Sequence, residues 1–402
     1  MIKRTLQELC LNITDGKHGD CENEGNSGYY FISCKDIFDG QINYKNARQI
    51  TKADFEETHK RTMLEVDDIL LTNSGTIGRM AFVTDREVTT KTTFQKSVAI
   101  IKPDKQKVLP RYLYYQLQNC VPQFINSSNG SAQKNLLLST MRTFQIEIEE
   151  NREKQEKIAN TLSAYDDLIE NNQKQIKLLE EAAQRLYKEW FVDLRFPGHE
   201  NTKIVDGVPE GWNWCKLEDA IQLDPKVTLT KERMKQFIPM SALSTSSMVL
   251  DESQFTETTS NSGSKFQNGD TLLARITPCL ENGKTAYVSG LKSDEGAVGS
   301  TEYIVMRAKT INSYMVYLLA RTDDFRQSAI NSMSGSDGRQ RVKSDKLKML
   351  DYLHPTSELV EKFENVEEPI FEKIYRLSKQ MQQAKQARDL LLPKLMSGEV
   401  EV

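Results

Sequence analysis

The chain has 402 residues, of which 38% are hydrophobic, and its formal net charge at pH 7 is -4. This length is enough for two ordinary domains with connecting elements. The six cysteines form no CxxC pair and there are only four histidines, so neither a disulfide framework nor a zinc knuckle is indicated. No apolar run approaches the roughly 18 residues of a membrane span, and the first residues lack the apolar core of a secretory signal. We therefore expect a cytoplasmic protein with reduced cysteines.

The first predicted domain covers residues 1–150 and has mixed α+β character. Short apolar stretches separated by Gly, Asp and Asn turns are typical of strands in small mixed sheets. The strand candidates are GYYFISC, DDILLT, MAFVT and SVAIIKP. A helical pattern that starts at Tyr112 is interrupted by Pro122.

A central spacer helix is predicted over residues 151–196, because apolar residues recur there in steps of four and three, the period of a coiled-coil seam. Asn172 is the one polar residue on this seam. A polar seam residue can fix register and orientation at some cost in stability. The seam consists of Ile158, Leu162, Tyr165, Ile169, Asn172, Ile176, Leu179, Ala183, Leu186 and Trp190.

A linker at residues 197–212, rich in Gly and Pro, ends this helix and leads into a second α+β domain at residues 213–355. A distal spacer helix and a C-terminal tail follow at residues 356–402, where Thr356 or Ser357 can cap the helix. Its predicted seam consists of Leu359, Phe363, Val366, Ile370, Ile374, Leu377, Met381, Ala384, Arg388, Leu391 and Leu395.

The two long helices match in length and seam pattern, and each must bury its apolar stripe. We expect them to pair antiparallel as a coiled coil that separates the two domains, each helix spanning about 57 Å at 1.5 Å per residue. The alternative is that each helix packs on its own domain or on another subunit.

The two halves of the chain repeat the same motifs in the same order, roughly 200 residues apart. VDDILLTNSGTIGR from Val66 corresponds to QNGDTLLARITPCLENGK from Gln267, and RYLYYQL corresponds to SYMVYLL. In the polar loops that follow, we interpret Gln133 and Gln340 as equivalent residues. Such a duplication predicts an internal pseudo-two-fold, which suits a target that also has two halves.

Catalytic motifs are missing from the sequence. NGKT at 282–285 is not a Walker A loop, because Pro278 stands where the first glycine belongs. HExxH, GxSxG and GxGxxG in a strand-to-helix context are absent too, and no group of carboxylates forms a convincing constellation. We therefore predict a non-catalytic chain without catalytic residues or a metal site.

Polar loops at the ends of the predicted strands have the composition of a DNA interface. Hydroxyl groups, Arg and Lys typically contact phosphates, while Asn and Gln pair with adenine and Arg with guanine in the major groove. Singly, each loop could be an ordinary solvated turn, but their recurrence in both halves favours DNA binding. Basic and acidic residues balance in both globular parts, which permits DNA binding if the basic ones converge on one face. The candidates are Ser74, Thr76, Arg79, Thr92, Gln95, Lys96, Asn129, Ser131, Gln133, Lys134, Arg275, Thr277, Asn282, Lys284, Ser300, Thr301, Ser336, Arg339, Gln340, Arg341 and Lys343.

These motifs resemble the specificity (S) subunit of type I restriction-modification systems over essentially the whole chain. The most specific are the helix NREKQEKIANTLSAYDDLIENNQKQIKLLEEAAQRLYKEWF, the VPEGW that follows it, and the terminal ARDLLLPKLMSGEV. Their order and position match the central and distal constant regions of that family.

The resemblance implies two target-recognition domains, each reading one half of a bipartite, asymmetric site in double-stranded DNA. It also implies two copies of a methyltransferase subunit that carries S-adenosylmethionine, and a motor-nuclease subunit that uses ATP and Mg. No cofactor is expected on this chain. Two alternatives stay open: a standalone DNA-binding regulator or architectural protein without a methyltransferase partner, and an enzyme with an unrecognised site.

Helix length gives a first test. Inserting one heptad into the central helix at Asn172 and a matching heptad into the distal helix should lengthen the pair by about 10 Å. At about 3.4 Å per base pair, the unread spacer between the half-sites should grow by about 3 base pairs while both half-sites stay the same. Sequencing of methylated DNA measures the spacer, and an unchanged spacer would contradict a role of the helices in setting it.

Overall fold

A computed structural model describes residues 1–84, 87–128, 134–335 and 339–401. The chain divides into two compact units, Met1–Asp167 with Ala384–Val402, and Leu168–Gln383. Each unit contains a small α/β domain together with part of each of two long helices, because both divisions fall inside a helix. The fold is therefore α+β with small sheets and long helices, as the sequence predicts.

The first unit is built from short strands and helices. Its strands are β1 (Ile2–Thr5), β2 (Cys10–Asp15), β3 (Tyr30–Ile32), β4 (Ile37–Phe38), β5 (Gln41–Ile42), β6 (Arg48–Gln49), β7 (Ile69–Thr72), β8 (Met80–Phe82), β9 (Thr92–Phe94), β10 (Val98–Pro103) and β11 (Gln145–Ile148). Its short helices are α1 (Lys52–Thr62), α2 (Pro110–Asn119), α3 (Val121–Asn126) and α4 (Leu138–Thr143).

Four of these strands form an antiparallel sheet in the order β2-β10-β7-β8. All four residues of β7 are buried, which explains its continuous apolar sequence. Tyr112 and Leu113 of α2 lie in one buried cluster with Ile69, Leu71 and Ile101 of the sheet. A second sheet has the order β6-β3-β9, with β3 and β9 parallel, and β1 pairs with β11.

The second unit begins with the rest of the first long helix, α5 (Arg152–Tyr187), which ends in one π-helical turn, Lys188–Val192. Its strands are β12 (Ile204–Val205), β13 (Val208–Pro209), β14 (Asn213–Lys216), β15 (Ile221–Leu223), β16 (Lys235–Ile238), β17 (Thr256–Thr258), β18 (Ser264–Phe266), β19 (Thr271–Ala274), β20 (Thr285–Tyr287), β21 (Ala297–Gly299), β22 (Tyr303–Ala308) and β23 (Asp351–His354). Its helices are α6 (Leu217–Ala220), α7 (Ser313–Arg321), α8 (Asp323–Asn331), α9 (Ser344–Lys348) and the second long helix, α10 (Ser357–Ser397).

The main antiparallel sheet and two further strand pairings of the first unit recur in the second. The antiparallel sheet has the order β15-β22-β19-β20, which matches β2-β10-β7-β8 strand for strand. β16 and β21 run parallel as β3 and β9 do, and β14 pairs with β23 as β1 pairs with β11. This shared topology confirms the duplication that the sequence indicates.

The two long helices run antiparallel within each unit. In the first unit, Asp166 of α5 accepts hydrogen bonds from Tyr115 (2.6 Å) and from Arg388 of α10 (2.7 Å), and Leu162 shares a buried cluster with Leu395. Along this contact the residue numbers rise from 162 to 166 in α5 and fall from 395 to 388 in α10, so the two helices are antiparallel.

The same direction holds in the second unit. The buried Asn172 donates to the Gln380 side chain at 3.2 Å and lies 3.5 Å from the Leu377 carbonyl oxygen. Near the other end of α5, the Trp190 ring lies 5.4 Å from the Phe363 ring. Asn172 thus has hydrogen-bond partners on α10, consistent with a register-setting role.

One assignment on the distal seam is wrong. Val366 is 42% exposed, and Glu367 is fully buried in the place that the apolar pattern gave to Val366. The buried residues of this part of α10 are Phe363, Glu367 and Phe371, which are four residues apart. The sequence assignment placed a three-residue step after Phe363, because the apolar pattern excludes a carboxylate from a core position. Neither carboxyl oxygen of Glu367 has a hydrogen-bond partner among the described residues.

Burial raises the pKa of Glu367 to about 7. The folded chain therefore keeps a proton there that the unfolded chain loses near the ordinary glutamate pKa of 4.5, so this residue lowers stability as pH rises from about 4.5 to about 7.

Glu367→Gln should remove that pH dependence. Above pH 7 the variant should be more stable than the wild type by up to about 3 kcal/mol, at about 1.36 kcal/mol per pKa unit, and the difference should disappear near pH 4.5. Urea unfolding at several pH values measures it, with Glu361→Gln, an exposed position on the same helix, as the control. Parallel stability curves for Glu367→Gln and the wild type would show that the carboxyl carries no such penalty.

Candidate nucleic-acid interface

Three loops that are distant in sequence meet at one edge of the second unit. The loop after β19 starts at Arg275, whose amide donates to the Glu302 carbonyl at 3.0 Å and whose carbonyl accepts from the Val342 amide at 2.9 Å. The Thr277 amide donates to the Gln340 carbonyl at 3.1 Å. We call this junction of residues 275–284, 300–302 and 339–343 edge 2. It brings together the candidates that the sequence places in three separate loops of the second half.

The side chain of Arg341 on edge 2 is held by Glu302. Its Nε donates to both carboxylate oxygens of Glu302 (3.0 and 2.9 Å), and its Nη2 donates to one of them at 2.7 Å. The backbone of Arg341 pairs with Ser334 through two hydrogen bonds. Hydrogen bonding from the Arg341 guanidinium lowers the pKa of Glu302. Both the main chain and the side chain of Arg341 are therefore held in place.

Two other cations of edge 2 are used within the protein. Arg275 Nε donates to the Val342 carbonyl at 3.1 Å, and Lys284 Nζ donates to the Met240 carbonyl at 2.8 Å. Both therefore brace the loops, and the phosphate contacts predicted for them stay predictions.

The remaining candidates of edge 2 differ in exposure. Asn282, Thr301, Arg339 and Lys343 are exposed, whereas Thr277, Ser300 and Gln340 are half-buried. The Ser300 hydroxyl accepts from the Glu302 amide at 3.2 Å. Ser336 lies outside the described residues.

The first unit builds the same junction with the same backbone hydrogen bonds. The Asn73 amide donates to the Ser97 carbonyl at 3.0 Å, the Leu136 amide donates to the Asn73 carbonyl at 2.8 Å, and Ser74 pairs with Asn135 as Ile276 pairs with Arg341. We call this junction of residues 73–79, 95–97 and 134–136 edge 1. It gathers the described candidates Ser74, Thr76, Arg79, Gln95, Lys96 and Lys134, of which Thr76, Arg79, Lys96 and Lys134 are exposed and Ser74 and Gln95 are half-buried.

Arg79 of edge 1 and Lys284 of edge 2 are equivalent residues, and each contacts a backbone carbonyl in the turn after a parallel strand. Arg79 Nη1 lies 3.4 Å from the Cys34 carbonyl oxygen, as Lys284 Nζ contacts the Met240 carbonyl. The strand residues before each loop confirm the match, because the Thr72 amide bonds the Arg79 carbonyl and the Ala274 amide bonds the Lys284 carbonyl.

The register of the third loops corrects the sequence alignment by one residue. The backbone hydrogen bonds align Leu136 with Val342, both fully buried, and Asn135 with Arg341. Lys134 therefore takes the place of Gln340, and the predicted equivalence of Gln133 with Gln340 is wrong. The sequence alignment matched the two glutamines because their side chains are alike. The register of the loops is instead fixed by the buried apolar residues, Leu136 and Val342. Asn129, Ser131 and Gln133 themselves lie outside the described residues.

Thr92 is not an interface residue. It is fully buried in β9, where its hydroxyl donates to the Val88 carbonyl at 2.7 Å and lies 3.0 Å from the Tyr44 hydroxyl. The parallel pairing of β9 with β3 places it inside the unit.

Sequence reasoning missed Asn135 and Glu302. Asn135 is exposed beside Lys134, and Glu302 is the partner of Arg341. The missed signal for Asn135 was the apolar residue that follows it, since Leu136 and Val342 define the repeat more reliably than the polar residues do.

A buried ion pair lies at the start of the central strand in each unit. Asp270 accepts two hydrogen bonds from Arg307, at 2.6 and 2.7 Å, and Asp68 accepts one from Lys102 at 2.7 Å. Both carboxylates also accept a backbone amide three residues back, from Gln267 and Glu65. The acidic residue that leads each repeat motif is therefore structural.

The described residues hold no group of His, Cys, Asp and Glu that could bind a metal ion. Among the described helices, none is both long and apolar enough to cross a membrane.

Comparison with known proteins finds similarity to type I specificity subunits. The family described as "Type I restriction modification DNA specificity domain" matches residues 5–181. The specificity subunit of the type I restriction enzyme MjaIX from Methanocaldococcus jannaschii is 28% identical over 386 residues, which cover 92% of this chain and 87% of that protein. Residues 5–181 thus match the specificity-domain family, and over most of its length the chain is similar to a type I specificity subunit.

Two further comparisons also find specificity subunits. The EcoAI specificity subunit from Escherichia coli is 35% identical over 140 residues, which cover 34% of this chain and 24% of that protein. The crystal structure of the type I restriction-modification S subunit from M. genitalium superposes with a TM-score of 0.59 at 16% identity, covering 98% of this chain and 95% of that one. At this identity the superposition shows that the chain shares the fold of that S subunit.

The buried ion pair between Asp270 and Arg307, at the start of β19, gives a stability test. Arg307→Met should cost about 3–5 kcal/mol, because it leaves the buried Asp270 carboxylate unpaired. Arg307→Lys should cost less than about 1.5 kcal/mol, because lysine already fills the equivalent place at Lys102. Urea unfolding at pH 7 compares the two variants, and equal losses would show that pairing of the carboxylate is not the source of the stability.

Proposed function

We propose that this chain is the non-catalytic subunit that gives a type I restriction-modification complex its DNA sequence specificity. Each α/β domain reads one half of a bipartite, asymmetric site in double-stranded DNA. The observation that carries the proposal is the pair of edges: two domains build the same three-loop junction from the same backbone hydrogen bonds and place different polar side chains on it. A shared frame with different side chains suits two readers of different sequences.

The charges at the edges support DNA as the ligand. Arg79, Lys96 and Lys134 are exposed on edge 1, and Arg339 and Lys343 on edge 2. Cations gathered on one surface bind phosphates and position the duplex, whereas side chains that reach base edges provide specificity. The overall charge of -4 is compatible with this, because the local field at the edge determines DNA affinity.

The similarity to type I specificity subunits supports a set of partner proteins. We propose that the chain assembles in the cytoplasm with two methyltransferase subunits, which bind S-adenosylmethionine, and with a motor-nuclease subunit, which binds ATP and Mg. The reaction on the adenine base and the cleavage of DNA belong to those subunits, and the chain binds no cofactor itself.

A methylation map of the host genome tests the function. A strain with this gene should show a split motif of methylated adenines, and a strain without it should lose that motif. The methyltransferase subunit expressed alone is the control and should leave the motif unmethylated. An unchanged map, or turnover by this purified chain alone with S-adenosylmethionine and DNA, would contradict the proposal, and purification without a methyltransferase would favour a standalone regulator.

A further inference from the structure

Among the described residues, the guanidinium of Arg341 is engaged by a carboxylate on one side only. Glu302 accepts from Nε and Nη2, which form one edge of the planar group. The outer edge, formed by Nη1 and Nη2, still has N–H groups that point away from the carboxylate, and Nη1 has only a long contact of 3.4 Å to the Arg339 carbonyl. The Arg341 side chain is 44% exposed. A fixed, outward-facing fork of two donors is therefore available at edge 2.

That fork matches one base in particular. Guanine presents two acceptors, O6 and N7, side by side in the major groove, and a bidentate arginine satisfies both. A carboxylate that already holds the other edge of the arginine reduces the rotamer entropy lost on binding and fixes the plane of the fork. Lysine in the same position would keep the charge but lose the fork.

Edge 1 has a different side chain in the same backbone position. Asn135 takes the place of Arg341, and Ser97 takes the place of Glu302, because the Asn73 amide bonds Ser97 as the Arg275 amide bonds Glu302. Asn135 is exposed, and an asparagine amide offers one donor and one acceptor. This is the complement of N7 and the N6 amino group of adenine.

We propose that Arg341 reads a guanine and Asn135 an adenine, one in each half-site, and that Glu302 is the residue that positions Arg341. The inference rests on the proposed function and adds the base read at one place in each half-site. The two domains then differ in specificity at a position where their backbones are the same.

Base analogues test the contact with the unaltered protein. The complex of this chain with its methyltransferase is assayed for methylation of oligonucleotides in which each guanine of the site is replaced in turn by 7-deazaguanine, which lacks the N7 acceptor. One guanine of one half-site should prove sensitive. Arg341→Lys should remove this sensitivity and lower the preference for guanine at that position by roughly 5- to 150-fold, the range for a bidentate pair. The salt dependence of binding should stay the same, because the charge is kept.

Two further variants separate positioning from contact. Glu302→Gln keeps the size of the side chain but loses the ion pair with Arg341. It should therefore lower the preference for the same guanine less than Arg341→Lys does, and it should leave the base preference at every other position unchanged. Asn135→Ala should lower the preference for adenine at one position, and this position should lie in the other half-site. In each case the untouched half-site is the folding control, since it should be read as in the wild type.

The outcomes separate this inference from the function on which it rests. If the unaltered complex methylates no split site, the proposed function fails. If it does, but no guanine is sensitive to 7-deazaguanine, or Arg341→Lys and Asn135→Ala leave every position as selective as before, only the assignment of these bases is overturned. Relaxation of both half-sites by a single variant would overturn it as well.

Discussion

The two recognition edges depend on a small set of main-chain hydrogen bonds. In each unit, the residue after the central strand donates its amide to one loop and accepts, through its carbonyl, from another. Because these bonds use only backbone groups, the side chains at the junction can change without altering its geometry. At the other end of the same central strand, a buried carboxylate bonds a strand cation and a backbone amide, Asp68 in one unit and Asp270 in the other. A rigid frame with replaceable side chains is what sequence recognition by loops requires.

Much of this fold is predictable from local pattern. The apolar runs ILL in Ile69–Thr72 and VAII in Val98–Pro103 become the central strands because they are buried on both faces. The first long seam is also read correctly from its period, since the residues from Ile158 to Trp190 that it assigns to the interior are buried or half-buried, Asn172 included. The topology of the second domain then follows from its likeness to the first.

The failures have a common physical cause, which is that side-chain chemistry does not determine burial by itself. Thr92 resembles a loop hydroxyl but lies inside a sheet, where its two hydrogen-bond partners offset its polarity. Glu367 resembles a surface residue but is fully buried, and Gln133 suggested an alignment that the buried Leu136 and Val342 correct. The joining of three distant loops could not be deduced from any one of them, because long-range backbone pairing leaves little trace in a single loop sequence.

The division of the chain also affects how it is made. The core of the first unit contains Leu395 and Met396 together with Leu162 and Ile158, so this unit is complete only when the last turns of α10 are present. Domains usually fold in the order of their synthesis on the ribosome. Here the first unit must wait for the last turns of α10 before its core can close, and a product that terminates before those turns would leave that unit unfinished.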